Sequence, residues 1–145
     1  MYSMKKTAIG IISICFITLL VVMPMTFSEN TNTTTLEIVS VEGSIAAVKT
    51  SIQNTGEESA EEVAITVHVS GGLANSIDLT HICSGCSVCG TSLAAGAIKT
   101  ENTAEAGIIF GLGPITIDVT AVALNADEVS GTYSAYIIGP LVLFS

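Results

Sequence analysis

The chain has 145 residues, with 13 acidic side chains against four lysines and no arginine, a formal charge of −9 at neutral pH. Lys5 and Lys6 both precede the first acidic residue, Glu29, so the part from residue 29 onward carries −11, two lysines against 13 acids. Such a surface repels phosphate backbones and makes nucleic acid a poor partner. Without tryptophan, and with only Phe110, Tyr133, Tyr136 and Phe144 as aromatics beyond residue 28, it also lacks a stacking platform for bases or sugars.

Residues 1–28 read as an export signal. Lys5-Lys6 supplies the positive start, Ala8–Met23 is a mostly apolar run, Pro24 breaks it, and Thr26-Phe27-Ser28 offers small residues ahead of a cut before Glu29. The 16 residues from Ala8 to Met23 are short of the ~20 that span a bilayer. Extended through Phe27 the run nearly reaches that length, so a retained anchor over residues 8–27 is the other expectation. Cys15 follows Ile14, not the small residue a lipoprotein acceptor needs, and reads as one more apolar residue of the leader. Residues 29–35 form a polar linker. They hold Asn32-Thr33-Thr34, the one N-x-[ST] sequon, which makes Asn32 a glycosylation candidate on an exported chain.

From Leu36 to Ser145 the pattern is one domain of strands and glycine-marked turns. Leu36 and Ile38 alternate with Glu37 and Val39, and Glu42-Gly43-Ser44 turns into a strand over Ala46–Asn54. There Val48, Thr50 and Ile52 share one face, and Lys49, Ser51 and Gln53 the other. A second arm places Ile65, Val67 and Val69 opposite Thr66, His68 and Ser70. This period-two pattern predicts half-buried strands, joined as neighbours through a turn beginning at Asn54-Thr55-Gly56. The acidic run Glu57–Glu62 lacks calcium-loop spacing and reads as a solvated loop.

Gly71-Gly72 ends the second arm, and Leu73–Leu79 is expected as a weaker strand. Ser92–Gly96 is a small-residue turn. Ile98–Ala104 is a polar edge strand on which Lys99 and Glu101 would discourage further pairing. After Pro114, Ile115, Ile117, Val119, Ala121 and Ala123 face the core, with Thr116, Asp118 and Thr120 outward. Asn125-Ala126-Asp127 turns, and a last strand from Val129 towards Phe144 is expected to bend at Gly139-Pro140. About seven strands at such intervals predict an all-β antiparallel sandwich behind an N-terminal apolar helix.

I-Q-N-T-G-E-E-S-A-E-E-V-A-I-T-V at 52–67, S-L-A-A-G at 92–96 and F-G-L-G-P-I-T-I-D-V-T-A at 110–121 resemble the CARDB-like domain, a cell-adhesion-related Ig-like β-sandwich of exported prokaryotic proteins. G-G-L at 71–73 and G-P-L-V-L at 139–143 are similar to a variant of archaeal secreted proteins. The resemblance implies an Ig-like sandwich and a non-enzymatic adhesion or structural role at the cell surface or envelope. Its partners would be other surface proteins or a second copy, with membrane contact only through an uncleaved leader. The lone domain and the cysteine cluster depart from that pattern.

That cluster, His81-Ile82-Cys83-Ser84-Gly85-Cys86-Ser87-Val88-Cys89-Gly90, holds most of the chain's chemical potential. His81, Cys83, Cys86 and Cys89 offer a Cys₃His set for zinc, although structural zinc sites usually draw ligand pairs from separate segments. In an oxidising compartment the thiols pair instead. Cys83–Cys89 is then the easier bridge, with Cys86 left over; reduced thiols are the third reading. A small secreted metal-binding or redox-active protein is thus the alternative function. Catalysis has little else to stand on: Gly85–Gly90 misses the G-x-S-x-G elbow, no helix follows Cys86-x-x-Cys89 as thioredoxin chemistry needs, and Gly111-Leu112-Gly113 leads into a strand, not a phosphate cradle. His68, on the polar side of its strand, is expected at the solvent.

Overall fold

The computed structural model of the protein describes residues 34–83 and 92–144. The expected signal or anchor, with its apolar helix, the sequon residue Asn32, and Cys15, Cys86 and Cys89 lie outside the described residues. Among the described residues no helix is long and apolar enough to cross a membrane.

The structure is all-β, built from antiparallel sheets. Among the described residues ten strands, three more than expected, follow in order: β1 (Leu36–Ser44), β2 (Ala47–Asn54), β3 (Ala60–Glu61), β4 (Ala64–Gly71), β5 (Ile77–Cys83), β6 (Ser92–Leu93), β7 (Ile98–Asn102), β8 (Gly111–Ala123), β9 (Ala126–Gly139) and β10 (Leu141–Phe144). One sheet runs β1-β2-β7 and a second β10-β9-β8-β4-β5, while β3 and β6 form a two-residue ladder between them in sequence. The surplus arises because short pairings such as Ala60 with Leu93 are too brief to leave an alternation in the sequence.

The alternation of the long strands sets the core. Val48 and Ile52 of β2 meet Ile65, Val67 and Val69 of β4, Ile115, Ile117, Val119 and Ala121 of β8, and Ile137 of β9 in one buried cluster. Register carries the faces across the sheet: Val67 pairs with Val119 and Val69 with Ile117. A shift by one residue would turn each of these outward, so burial of one face fixes the pairing.

Three expectations need correction. The β2 and β4 arms are not hairpin neighbours; β2 pairs with β1 and β7, β4 with β5 and β8, so the acidic connection crosses from one sheet to the other. Both arms alternate because each has one face in the shared core, and alternation does not say which strand lies beside which. The segment after Gly72 begins with a 3₁₀ turn at Leu73–Asn75, and the strand runs from Ile77 to Cys83. Leu73 is exposed, so no core face holds this stretch as a strand. Gly139-Pro140 does not bend one strand but reverses it: Leu141 to Phe144 return along Ile138 to Ala135.

Polar pins hold the crossing. Asn54, fully buried, donates through Nδ2 to the carbonyls of Glu58 (2.7 Å) and Leu93 (2.9 Å), and its Oδ1 accepts from the Gly56 N–H (3.0 Å). Asn125, in the β8–β9 turn, donates to the Ser59 carbonyl (2.9 Å) and accepts from the Glu61 N–H (2.9 Å). The acidic run is exposed as expected, but Ala60 within it is buried. Thr34 and Thr35, from the segment read as a spacer, already belong to the fold. Thr34 is buried and bridges Ala126, and the Thr35 carbonyl accepts from the Thr55 N–H at 2.8 Å.

At the other side the last strand closes on the first. Ile45 bridges Leu141, and the Ala46 N–H donates to the Pro140 carbonyl. A Cβ placed on Gly43 would fall onto the Val142 carbonyl, so β1 approaches β10 as closely as backbone allows.

Candidate functional site

The sheets part at the opposite side, where β5 and β7 are the free edges. Alternation along β5 turns Ile77, His81 and Cys83 inward. On β7, Glu101 pairs with Thr50 and Lys99 with Ile52, so both charged residues share the core side of their sheet. β7 is at a sheet edge, as expected, but its two charged residues turn towards the core: Glu101 is buried and Lys99 largely so. Glu101 sits between two bases. Its Oε2 lies 3.6 Å from His81 Nε2 and its Oε1 3.5 Å from Lys99 Nζ.

A short turn completes this seam. Asn102 Oδ1 accepts from the Ala104 N–H (3.0 Å), starting a 3₁₀ turn over Thr103–Glu105. Thr103 is buried, and its Oγ1 accepts from the Val48 N–H at 2.9 Å, tying the turn to β2. Glu105 is thereby delivered beside Glu101 and His81, with one ligand-type atom of each within 4.8 Å of the others. His81 Nε2 and Lys99 Nζ are buried without a hydrogen bond.

Of the four residues read as a Cys₃His set, the structure describes His81 and Cys83. Cys83 is buried and disulfide-bonded, its partner sulfur lying outside the described residues. A sulfur in a disulfide is not a thiolate ligand, so in this form Cys83 does not join His81 on a metal. Sequence reading found His81 but missed Glu101 and Glu105. The three come together only once β5 and β7 are known to be facing edges, and no spacing in the sequence announces that.

The outer face of the five-stranded sheet has two halves. Towards β5 it is polar. His68 Nε2 donates to Asp78 Oδ1 (2.9 Å), its Nδ1 lies 3.9 Å from Asp118 Oδ2, and Thr132 donates to Asp118 Oδ1 (2.7 Å). An ionised carboxylate can only accept, which places the proton on Nε2. A hollow of about 450 Å³ beside this row is lined by His68, Ser70, Asn75, Asp78 and Thr116 among others. His68 is part-exposed, as expected, and both its ring nitrogens are turned to carboxylates.

Towards β10 the same face is apolar. Leu112, Ile138 and Leu141 stand in one cross-strand row, and Pro114, Tyr136 and Leu143 in the next. All six are exposed, Leu141 and Leu143 each at 47%, and Phe110 beside them at 70%. The apolar tail forms β10 at the edge of this sheet, and of its four residues only Val142 is buried. No charged residue occurs in 106–117 or 129–145. A scan against protein-family models returns no match for this chain, and a search of curated proteins returns none.

Proposed function

We propose that the chain is an exported, non-catalytic interaction module of the cell surface or envelope, and that its apolar sheet face binds the same face of a second copy. The observation that carries this reading is the grid of Leu112, Pro114, Tyr136, Ile138, Leu141 and Leu143 on β8, β9 and β10. Contiguous exposed apolar surface of this kind marks contact sites. The choice of a second copy follows from charge. The part beyond residue 28 carries −11, which opposes most approaches of two copies, while the grid and its flanks are uncharged and like meets like without repulsion.

Strand order supports the finer reading of the fold as Ig-like. The order β1-β2-β7 corresponds to strands A-B-E of an Ig sandwich, and β5-β4-β8-β9 to C′-C-F-G, with β10 added at the G edge. The sequence segments that resemble the CARDB-like domain fall on β2–β4, β6 and its turn, and β8. Export is supported by the charge, apolar run and small residues of positions 1–28. Sedimentation equilibrium of the full chain and its Ile138→Ser variant tests the contact. The reading expects reversible dimers that the variant weakens at least tenfold. A parent chain that stays monomeric, or a variant that dimerises equally well, refutes it.

A further inference from the structure

We infer that His81, Glu101 and Glu105 form a divalent-metal site that staples the two sheets together at their open edge, independently of the proposed surface contact. The seam gathers two carboxylates, one ammonium and one imidazole. His81 is 92% buried in its side chain, yet its Nε2 makes no hydrogen bond and points at Glu101. A buried donor or acceptor left in this way is costly, so a partner is called for.

Distances indicate which partner. The gap of 3.6 Å between His81 Nε2 and Glu101 Oε2 is too long for a hydrogen bond. Two ligand atoms each about 2.1 Å from a tetrahedral ion lie about 3.4 Å apart, close to the gap observed. Glu105, exposed on its anchored turn, already holds a carboxylate oxygen within 4.8 Å of the other two ligand atoms. Lys99 keeps the other oxygen of Glu101 and offsets the charge there.

The donor set selects the ion. One imidazole nitrogen and two carboxylate oxygens suit zinc and its neighbours, whereas calcium and magnesium prefer oxygen alone. Three protein ligands leave a fourth position for water or an incoming group. His81 belongs to the five-stranded sheet, and Glu101 and Glu105 to β7 and the turn after it, so a bound ion crosses the sheets two residues from the disulfide at Cys83.

Titration of the full, oxidised chain with ZnCl₂ by calorimetry tests the site. One equivalent of zinc should bind, and Glu105→Gln, at an exposed position, should leave the unfolding midpoint without metal unchanged while weakening zinc at least about tenfold. Co²⁺ in place of zinc should give a ligand-field spectrum without a thiolate charge-transfer band. Absence of zinc binding, binding unaffected by Glu105→Gln and Glu101→Gln, or a thiolate band would each overturn the inference. The thiolate band would assign the metal to the cysteines instead.

Discussion

Replacing Ile117 with alanine puts a number on the core. Ile117 sits mid-β8, wholly buried, between Val69 of β4 and Tyr133 of β9. The substitution removes three buried carbons, which at about 0.8 kcal/mol each is about 2.4 kcal/mol of lost transfer energy. A residual cavity of about 50 Å³, at about 24 cal/mol per Å³, adds about 1.2 kcal/mol, for a loss of about 3.6 kcal/mol. Thr116, its neighbour in sequence, faces outward, and Thr116→Ala should change stability by about 0.5 kcal/mol or less. Urea unfolding followed by circular dichroism, with the disulfide intact, measures both. Equal losses from the two variants would mean that β8 is paired one residue out of register and that the core described above is wrong.

Gly43→Ala should cost about 1–3 kcal/mol, because the new methyl meets the Val142 backbone and forces β1 away from β10; the urea midpoint reads the loss. Asn54→Ala should leave the Glu58 and Leu93 carbonyls and the Gly56 N–H without their partner, at about 1–3 kcal/mol for each that stays buried. Hydrogen exchange should show the damage concentrated around residues 55–61 and 92–97. Deleting Gly139–Ser145 strips β10 from the edge of β9 and uncovers the core beside Val142. The truncated chain should unfold or aggregate even when dilute, which light scattering detects. A truncated chain that stays folded would mean β10 contributes nothing to its own domain.

Much of the fold was legible because burial of one strand face writes itself into the sequence. Val48, Thr50 and Ile52, then Ile65, Val67 and Val69, then Ile115, Ile117 and Val119 are all buried as their alternation predicts. What alternation cannot encode is which strand lies beside which, and that is where the hairpin expectation for β2 and β4 failed. The same limit hid the seam. Glu101 was legible as an edge residue but not as an inward one, because the polar gap it fills exists only where β5 and β7 face each other without a strand between. The apolar grid was half legible. Tyr136–Phe144 is apolar at successive positions, so both faces of a strand pair made from it must be apolar, yet the reversal at Gly139-Pro140 decides that Leu141 and Leu143 join Ile138 and Tyr136 outside.

Photocrosslinking on cells tests the surface contact most directly. A photoreactive side chain at Tyr136, in the middle of the apolar grid, should yield an adduct of twice the chain mass of 14.9 kDa, less any cleaved leader. The same group at Thr80, on the polar half of that face beside His68, should yield none. Adducts from both positions alike, or from Tyr136 only to other proteins, would contradict a homotypic contact through β8, β9 and β10.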